Sequence, residues 1–185
     1  MARNLIILFS LVYLLSNPWP AICADAPGGW NEVGLRMGLQ AGYEHGYFRQ
    51  YEMFAVYGLP WDWRSSSGWG LAPQLSVSAG ALLDDPDVSG FIGTVGAGLV
   101  LDKPHFGLAP EIGINANFLD KRHFGDQDFG SMLLFGAYIG LFYRFDDGLK
   151  IGYRLQHISN GHIFYEEGTP NPGLDMHLIA VSWTF

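Results

Sequence analysis

Hydrophobic residues recur at every second position through most of this chain, and this alternation restricts the fold more than any other feature. In "VGLRMGLQAGY" the odd positions from Val33 to Tyr43 are apolar or aromatic, while the even positions are glycine, arginine or glutamine. Successive side chains of a β-strand point to opposite faces, so a period of two predicts strands with one apolar and one polar face. The chain is therefore expected to be all-β.

Roughly eight segments carry this pattern, and the composition of their minor face separates a membrane barrel from a soluble sandwich. That face combines many glycines with charged and amide side chains: Arg36, Glu52, Gln74, Glu111, Asn115, Arg144 and Arg154. Such residues suit a narrow polar lumen, and each segment is about as long as a tilted strand that crosses a bilayer. We predict an eight-stranded antiparallel transmembrane β-barrel of the outer-membrane type.

The N-terminus has the layout of a secretory signal peptide. Arg3 precedes an apolar run from Leu5 to Leu15, then "NPWP", then alanines at 21, 24 and 26. The run is too short for a transmembrane helix. We expect residues 1–24 to be removed, with cleavage after Ala24 or Ala26, and residues 25–185 to form a single β-barrel domain. A lipoprotein would need acylation at Cys23, for which the preceding Ile22 fits poorly.

Loop lengths predict the orientation of the barrel. "LDKPHF" and "FDDGL" are short turns, whereas residues 119–131 and 161–173 form long loops, and the two kinds alternate. Short turns of bacterial barrels face the periplasm and long loops face outward. Five of the six tryptophans then fall near the periplasmic end, where an aromatic girdle is expected. The terminal Phe185 is typical of strands that are recognised for outer-membrane insertion.

Candidate catalytic residues end the seventh strand and begin the eighth. His157 and Ser159 continue the apolar, lipid-facing parity of their strand, and Asp175 has the same parity on the next strand. Neighbouring antiparallel strands would bring the three together at the outer rim. Serine, imidazole and carboxylate can act as nucleophile, base and orienting acid. Donors for an oxyanion are expected from Asn160, Gly161 and Asn171.

The motifs "HISNG" and "PNPGLD" resemble the PagL family of lipid A 3-O-deacylases, which are eight-stranded outer-membrane barrels. The resemblance covers the strand count, the C-terminal third and the terminal Phe, and implies Ser159 as nucleophile, His157 as base and Asp175 as acid. It further implies a serine esterase that removes the 3-O acyl chain of lipid A, in lipopolysaccharide at the outer leaflet, without a cofactor. The family's usual acid is glutamate, so Glu166 or Glu167 is an alternative.

Other functions remain open at this stage. An outer-membrane phospholipase would use Asn171 as the third residue of its catalytic triad, beside Ser159 and His157, but that family has a larger, calcium-dependent barrel. A non-catalytic OmpA- or OmpW-type barrel would have no reason to align Ser, His and Asp on its lipid face. A metal site from His157, His162 and His177 is a further alternative. The formal net charge of −8 argues against nucleic-acid binding; lipopolysaccharide, outer-membrane lipids and a second copy in a homodimer are the expected partners.

Overall fold

Eight long antiparallel strands form a closed barrel in the computed structural model, as the alternation predicts. The structure describes residues 28–42, 47–84, 88–163, 168 and 170–185. The predicted signal peptide lies outside these residues, so its cleavage stays a prediction. The strands are β1 (Gly29–Gln40), β2 (Phe48–Gly58), β3 (Gly70–Asp84), β4 (Val88–Asp102), β5 (Leu108–Leu119), β6 (Leu133–Arg144), β7 (Leu149–Ser159) and β8 (Leu174–Thr184).

Each strand pairs with its neighbours in sequence, and β1 pairs with β8 to close the barrel. Closure gives each of the eight long strands a partner on both edges, which is the condition for β-structure in a bilayer. Residues Trp63–Arg64 form a short strand beside the start of β3, and His123–Phe124 pairs with Gln127–Asp128 within the β5–β6 loop. Within the described ranges, no helix is long and apolar enough to cross a membrane.

The outward face of the barrel is apolar. Large exposed side chains occupy the predicted parity on every long strand, among them Leu35, Met53, Val77, Val95, Ile114, Ile139, Ile151 and Ile179. Aromatic side chains gather at the end where β1 begins and β8 ends: Trp30, Tyr57, Trp63, Trp69, Phe106, Tyr143, Phe145 and Trp183. This band matches the predicted periplasmic girdle, and we call the opposite end the outer end.

The lumen is polar only in part, which corrects the expectation of a polar interior throughout. Its middle holds buried ion pairs, including Arg36 with Glu52 at 2.6 Å and Lys150 with Glu32 at 2.7 Å. Arg154 donates from Nε and Nη2 to Glu111 and stacks on the ring of Tyr138, 3.7 Å from its centroid. Paired charges of this kind can be buried because each carboxylate has a hydrogen-bonding partner. Arg144, predicted for the lumen, is exposed near the periplasmic mouth instead.

A plug of apolar side chains fills the outer end of the lumen. Strand ends contribute the inward residues Phe48, Leu82, Ile92, Leu119, Leu134, Ile158, Leu174, Met176 and Leu178. The β5–β6 loop folds into the barrel mouth and adds Phe124 and Phe129, whose rings lie 5.9 Å apart. At the ends of β7 and β8 the alternation is inverted, because the inward Ile158 and Met176 are apolar and the outward His157 and Asp175 are polar. The plug supports the loops around the outer rim.

The prediction of short periplasmic turns and long outer loops holds for the four connections on which it was based. It does not hold for every connection of the barrel. The β2–β3 connection at the periplasmic end spans residues 59–69, while the outer β3–β4 connection is residues 85–87 alone. Long β3 and β4 strands, of 15 residues each, account for the short outer connection. Loop length alone is therefore a weaker indicator of orientation than the aromatic girdle.

Candidate active site

His157 and Asp175 lie opposite each other on β7 and β8, and both side chains point outward at the outer rim. The register pairs His157 with Asp175 and Leu155 with His177. Nδ1 of His157 lies 2.7 Å from Oδ1 of Asp175, with side chains that are 54% and 63% exposed. This is the distance of a charge-assisted hydrogen bond from imidazole to carboxylate. The bond leaves Nε2 of His157 facing away from the carboxylate.

Ser159 follows on the same outward face of β7 and is half-buried. Residues i and i+2 of a strand are neighbours on one face, so the hydroxyl and the imidazole share a side of the barrel. The structure contains no hydrogen bond between Ser159 and His157, two residues that it describes in full. Pairs of nucleophile and base are often looser without substrate.

Gly173 shapes the other side of the imidazole and was not assigned a role by the sequence. It has a φ of +68°, and a Cβ built on it would lie 3.0 Å from Cε1 of His157. Only glycine combines this left-handed backbone with so close an approach to the ring. The signal in the sequence was the glycine that immediately precedes β8 in "PNPGLD".

Asp175 is held in place through its backbone as well as its side chain. The amide of Ala41, just after β1, donates to the carbonyl of Asp175 at 2.8 Å. The start of β8 is thus bonded on both sides, to β7 and to the end of β1. A carboxylate on such a strand keeps its position better than one on a loop. The alternative acids Glu166 and Glu167 lie outside the described residues.

Asn160 has a different surrounding from that expected of an oxyanion donor. Its side chain is buried, with Nδ2 donating to the carbonyls of Phe129 at 3.0 Å and Pro170 at 2.9 Å. Oδ1 accepts from the amide of His162 at 2.9 Å. Both amide hydrogens are therefore engaged, and Asn160 joins the β5–β6 loop to the β7–β8 loop.

The other two oxyanion candidates differ in availability. Asn171 accepts from the backbone amide of Asn160 at 3.0 Å, and its Nδ2 lies 3.4 Å from Nδ1 of His162. Gly161 has a φ of +62° in the turn directly after Ser159 and Asn160. Its amide donates to no group that the structure describes. The Gly161 N–H is the candidate that remains free to bind a developing oxyanion.

The three histidines considered as metal ligands have separate partners. His157 bonds Asp175, His177 bonds Tyr153, and His162 lies near Asn171. No group of three metal-ligating side chains occurs in the part of the chain with described positions.

A family model described as lipid A 3-O-deacylase (PagL) matches residues 49–184. The chain belongs to this family. The match includes seven of the eight strands and every candidate residue of the site.

Individual relatives are similar over different shares of the chain. "Lipid A deacylase PagL" of Bordetella bronchiseptica is 36% identical over 75 residues, which is 40% of this chain and 40% of that protein. The crystal structure of the outer-membrane enzyme PagL has a TM-score of 0.64 at 19% identity, covering 82% of this chain and 99% of that one. The crystal structure of Neisserial surface protein A has a TM-score of 0.49 at 13% identity, covering 84% and 96%. The fold expectation is confirmed, and this PagL-family protein is an outer-membrane β-barrel.

Proposed function

We propose that the protein is an outer-membrane lipid A deacylase in which Ser159 is the nucleophile, His157 the base and Asp175 the orienting acid. The observation that carries the proposal is the 2.7 Å bond between His157 and Asp175 on the lipid-facing side of the rim. Membership of the PagL family supports the substrate, the lipid A part of lipopolysaccharide, and the 3-O position of the ester. No cofactor is needed for this chemistry.

The first step is attack by Oγ of Ser159 on the ester carbonyl carbon. Nε2 of His157 takes the hydroxyl proton, because Nδ1 is held by Asp175 in the tautomer that leaves Nε2 unprotonated. The carboxylate then stabilises the imidazolium that forms. Negative charge develops on the former carbonyl oxygen, where the free N–H of Gly161 is the proposed donor.

The second half of the reaction returns the enzyme to its starting state. The tetrahedral intermediate collapses, and His157 gives its proton to the sugar oxygen as that oxygen leaves. Water, deprotonated by the same imidazole, then attacks the acyl-enzyme, and the imidazolium returns the proton to Oγ of Ser159 as the fatty acid is released. One residue thus serves as base and acid in turn, and no metal is required for either step.

The position of the site fits a substrate that arrives from within the membrane. His157, Ser159 and Asp175 share the outward face of β7 and β8 with Leu155 and Ile179, which are exposed and apolar. A lipid ester lies at the boundary between headgroup and acyl chain, at the level of such a rim. The acyl chain to be cleaved can then remain against the apolar wall below the site.

Replacing Ser159 by alanine tests this proposal. Ser159→Ala should fold as wild type and abolish deacylation, because removal of a triad nucleophile costs a factor of about 10⁶. The measurement is mass spectrometry of lipid A from cells that express each variant. Ser66→Ala, which changes an exposed serine of the periplasmic β2–β3 connection, should deacylate as wild type. Deacylation by Ser159→Ala at a near-normal level would show that another residue carries the reaction, and loss of phospholipid instead of the 3-O chain would favour a phospholipase.

A further inference from the structure

Arg49 is an arginine on the lipid-facing side of the barrel. It follows Phe48 at the outer end of β2, and because the ring of Phe48 points into the plug, the alternation turns Arg49 outward. It is the one lysine or arginine among the outward positions of the eight long strands. An arginine on this face is costly near the middle of a bilayer and costs little at the level of the headgroups. The height of Arg49 on the barrel therefore decides what it can bind.

The guanidinium of Arg49 has no partner in the described part of the chain. Its Nε is buried and donates to no group, and no ion pair joins it to a described carboxylate. The neighbours across β1 and β3 are Leu39 and Leu83, which are apolar. In the lumen, by contrast, Arg36 and Arg154 each bond a glutamate. Arg49 thus presents unused donors to a ligand at the protein surface.

The stagger of the strands gives the height of Arg49. A row of paired residues that leaves β7 at Leu149 passes once around the barrel and returns to β7 at Ser159. Its members, in order, are Leu149, Trp183, Val33, Ala55, Val77, Val95, Ala116, Phe135 and Ser159. Eight steps from strand to strand therefore rise by as much as the ten residues of β7 from 149 to 159, because the strands are tilted.

Arg49 lies level with Ser159 at the outer rim. Three steps lead along one row from Leu155 on β7 through His177 and Leu39 to Arg49. At the stagger of this barrel, three steps rise by about 3.75 residues. Ser159 is four residues above Leu155 on β7, so the two heights agree within a fraction of a residue. Arg49 is therefore at the boundary between lipid headgroups and acyl chains.

The same three steps place Arg49 on another side of the barrel from Ser159. Three of eight steps are three-eighths of the circumference, or about 135° around the barrel axis. With strands about 4.8 Å apart and a tilt of about 40°, the path over the backbone is roughly 20 Å. Outward side chains at these two positions diverge further. A group attached beside an ester at Ser159 cannot span that path, so a ligand of Arg49 is a second molecule.

We propose that Arg49 binds the phosphate of a second outer-leaflet lipid, one that the enzyme does not cleave. A guanidinium matches the oxygens of a phosphate with two parallel N–H donors. Leu39 and Leu83, on either side, contact the upper part of the lipid's acyl chains. The lipid lies against the wall formed by β1, β2 and β3. This site does not depend on the proposed triad and adds a lipid anchor to the barrel.

Two fluorescent reporters separate this side of the barrel from the side of the proposed triad. The one cysteine of the sequence, Cys23, lies in the predicted signal peptide, so the mature protein can be labelled at a single introduced cysteine. The label is a fluorophore whose emission depends on its surroundings. The protein carries Ser159→Ala to prevent cleavage and is titrated in detergent micelles with lipid A that retains its phosphates. The measured quantity is the Kd at each label.

The register selects the two labelling positions. Ala81→Cys reports on the proposed site, because Ala81 is paired with Tyr51, which is two residues below Arg49 on β2. Ile114→Cys reports on the side of the proposed triad, because Ile114 lies in the same row as His157, two strands away. Neither substitution changes a residue that is assigned a contact with the phosphate or with the ester.

Arg49→Gln should raise the Kd at Ala81→Cys about tenfold or more, the value of one charge-assisted hydrogen bond, and leave the Kd at Ile114→Cys unchanged. Lipid A from which the phosphates have been removed should bind about tenfold more weakly at Ala81→Cys when Arg49 is present. It should bind with the same Kd as phosphorylated lipid A in Arg49→Gln. Arg144→Gln removes an equal charge at the periplasmic mouth and should change neither Kd. Inorganic phosphate at the concentration of the lipid should not displace it.

Several results would overturn the lipid site. An unchanged Kd at Ala81→Cys in Arg49→Gln, with lowered thermal stability, would show that Arg49 only supports the rim. Equal binding of lipid A with and without phosphates to the protein with Arg49 would exclude phosphate recognition. Displacement by inorganic phosphate would assign the residue to free anions, and an Arg49-dependent response to protein concentration without lipid would assign it to a second copy of the chain. Failure of the proposed function would appear separately, as deacylation by Ser159→Ala.

Discussion

Substitution of Asn160 distinguishes two roles for this residue. In one role the side chain donates a hydrogen bond to an oxyanion, and in the other it connects the two outer loops. Its side chain makes three hydrogen bonds in the structure, to the carbonyls of Phe129 and Pro170 and from the amide of His162. The side chain is only 1% exposed, so water cannot replace these partners. Asn160→Ala removes all three bonds and leaves two carbonyls and one N–H without a partner.

The three lost hydrogen bonds give the expected change in the free energy of loop docking. Each lost bond costs about 1 kcal/mol net, so the docked arrangement of the two loops should lose roughly 3 kcal/mol. This corresponds to a factor of about 150 in the equilibrium between docked and open loops. Asn160→Asp should be worse than alanine, because a carboxylate oxygen would then face the two carbonyl oxygens that the amide now binds. Asn171→Ala removes one bond to the Asn160 amide and should change the equilibrium about fivefold.

Hydrogen exchange measured by mass spectrometry gives the readout. Peptides from residues 120–132 and 160–173 should exchange about two orders of magnitude faster in Asn160→Ala, while peptides from β3 and β4 should be unchanged. An oxyanion donor would produce the opposite pattern, a loss of 10² to 10³ in deacylation rate with wild-type exchange in both loops. That result would refute the connecting role and restore the expectation drawn from the sequence.

Three further predictions concern the triad acid, Gly173 and the location of the barrel. Asp175→Asn should lower the deacylation rate by up to about 10⁴, because an amide can hold the imidazole in the wrong tautomer; a double change of Glu166 and Glu167 to glutamine should cost far less, and the reverse order of rates would assign the acid to the loop. Gly173→Ala should slow deacylation about 10- to 100-fold, since the methyl crowds His157 and the backbone is strained; an unchanged rate would show that the ring has room to move. The mature protein should fractionate with the outer membrane and migrate differently on a gel before and after heating, and recovery as soluble periplasmic protein would contradict a barrel.

Local periodicity was sufficient to predict the strands and their two faces, and the polar, glycine-rich composition of the minor face indicated a barrel. Alternation of side chains is a property of the extended backbone, so it can be read without knowledge of the rest of the fold. The same parity placed His157 and Asp175 on the outward face, and the pairing of consecutive strands placed them side by side. Their catalytic roles, by contrast, stay a proposal that the experiments above must decide.

The tertiary structure alone determined what fills the lumen and what holds the rim. Lys150 on β7 pairs with Glu32 on β1, 118 residues away, because barrel closure leaves only β8 between these two strands and both side chains point into one lumen. Asn160 binds Phe129 and Pro170 only because two loops fold over the apolar plug. The alternation of side chains indicates which face of a strand a residue occupies. It does not indicate which residue lies across the lumen or which loop lies within hydrogen-bonding distance. Those distances depend on strand stagger and loop conformation, which the whole barrel sets together.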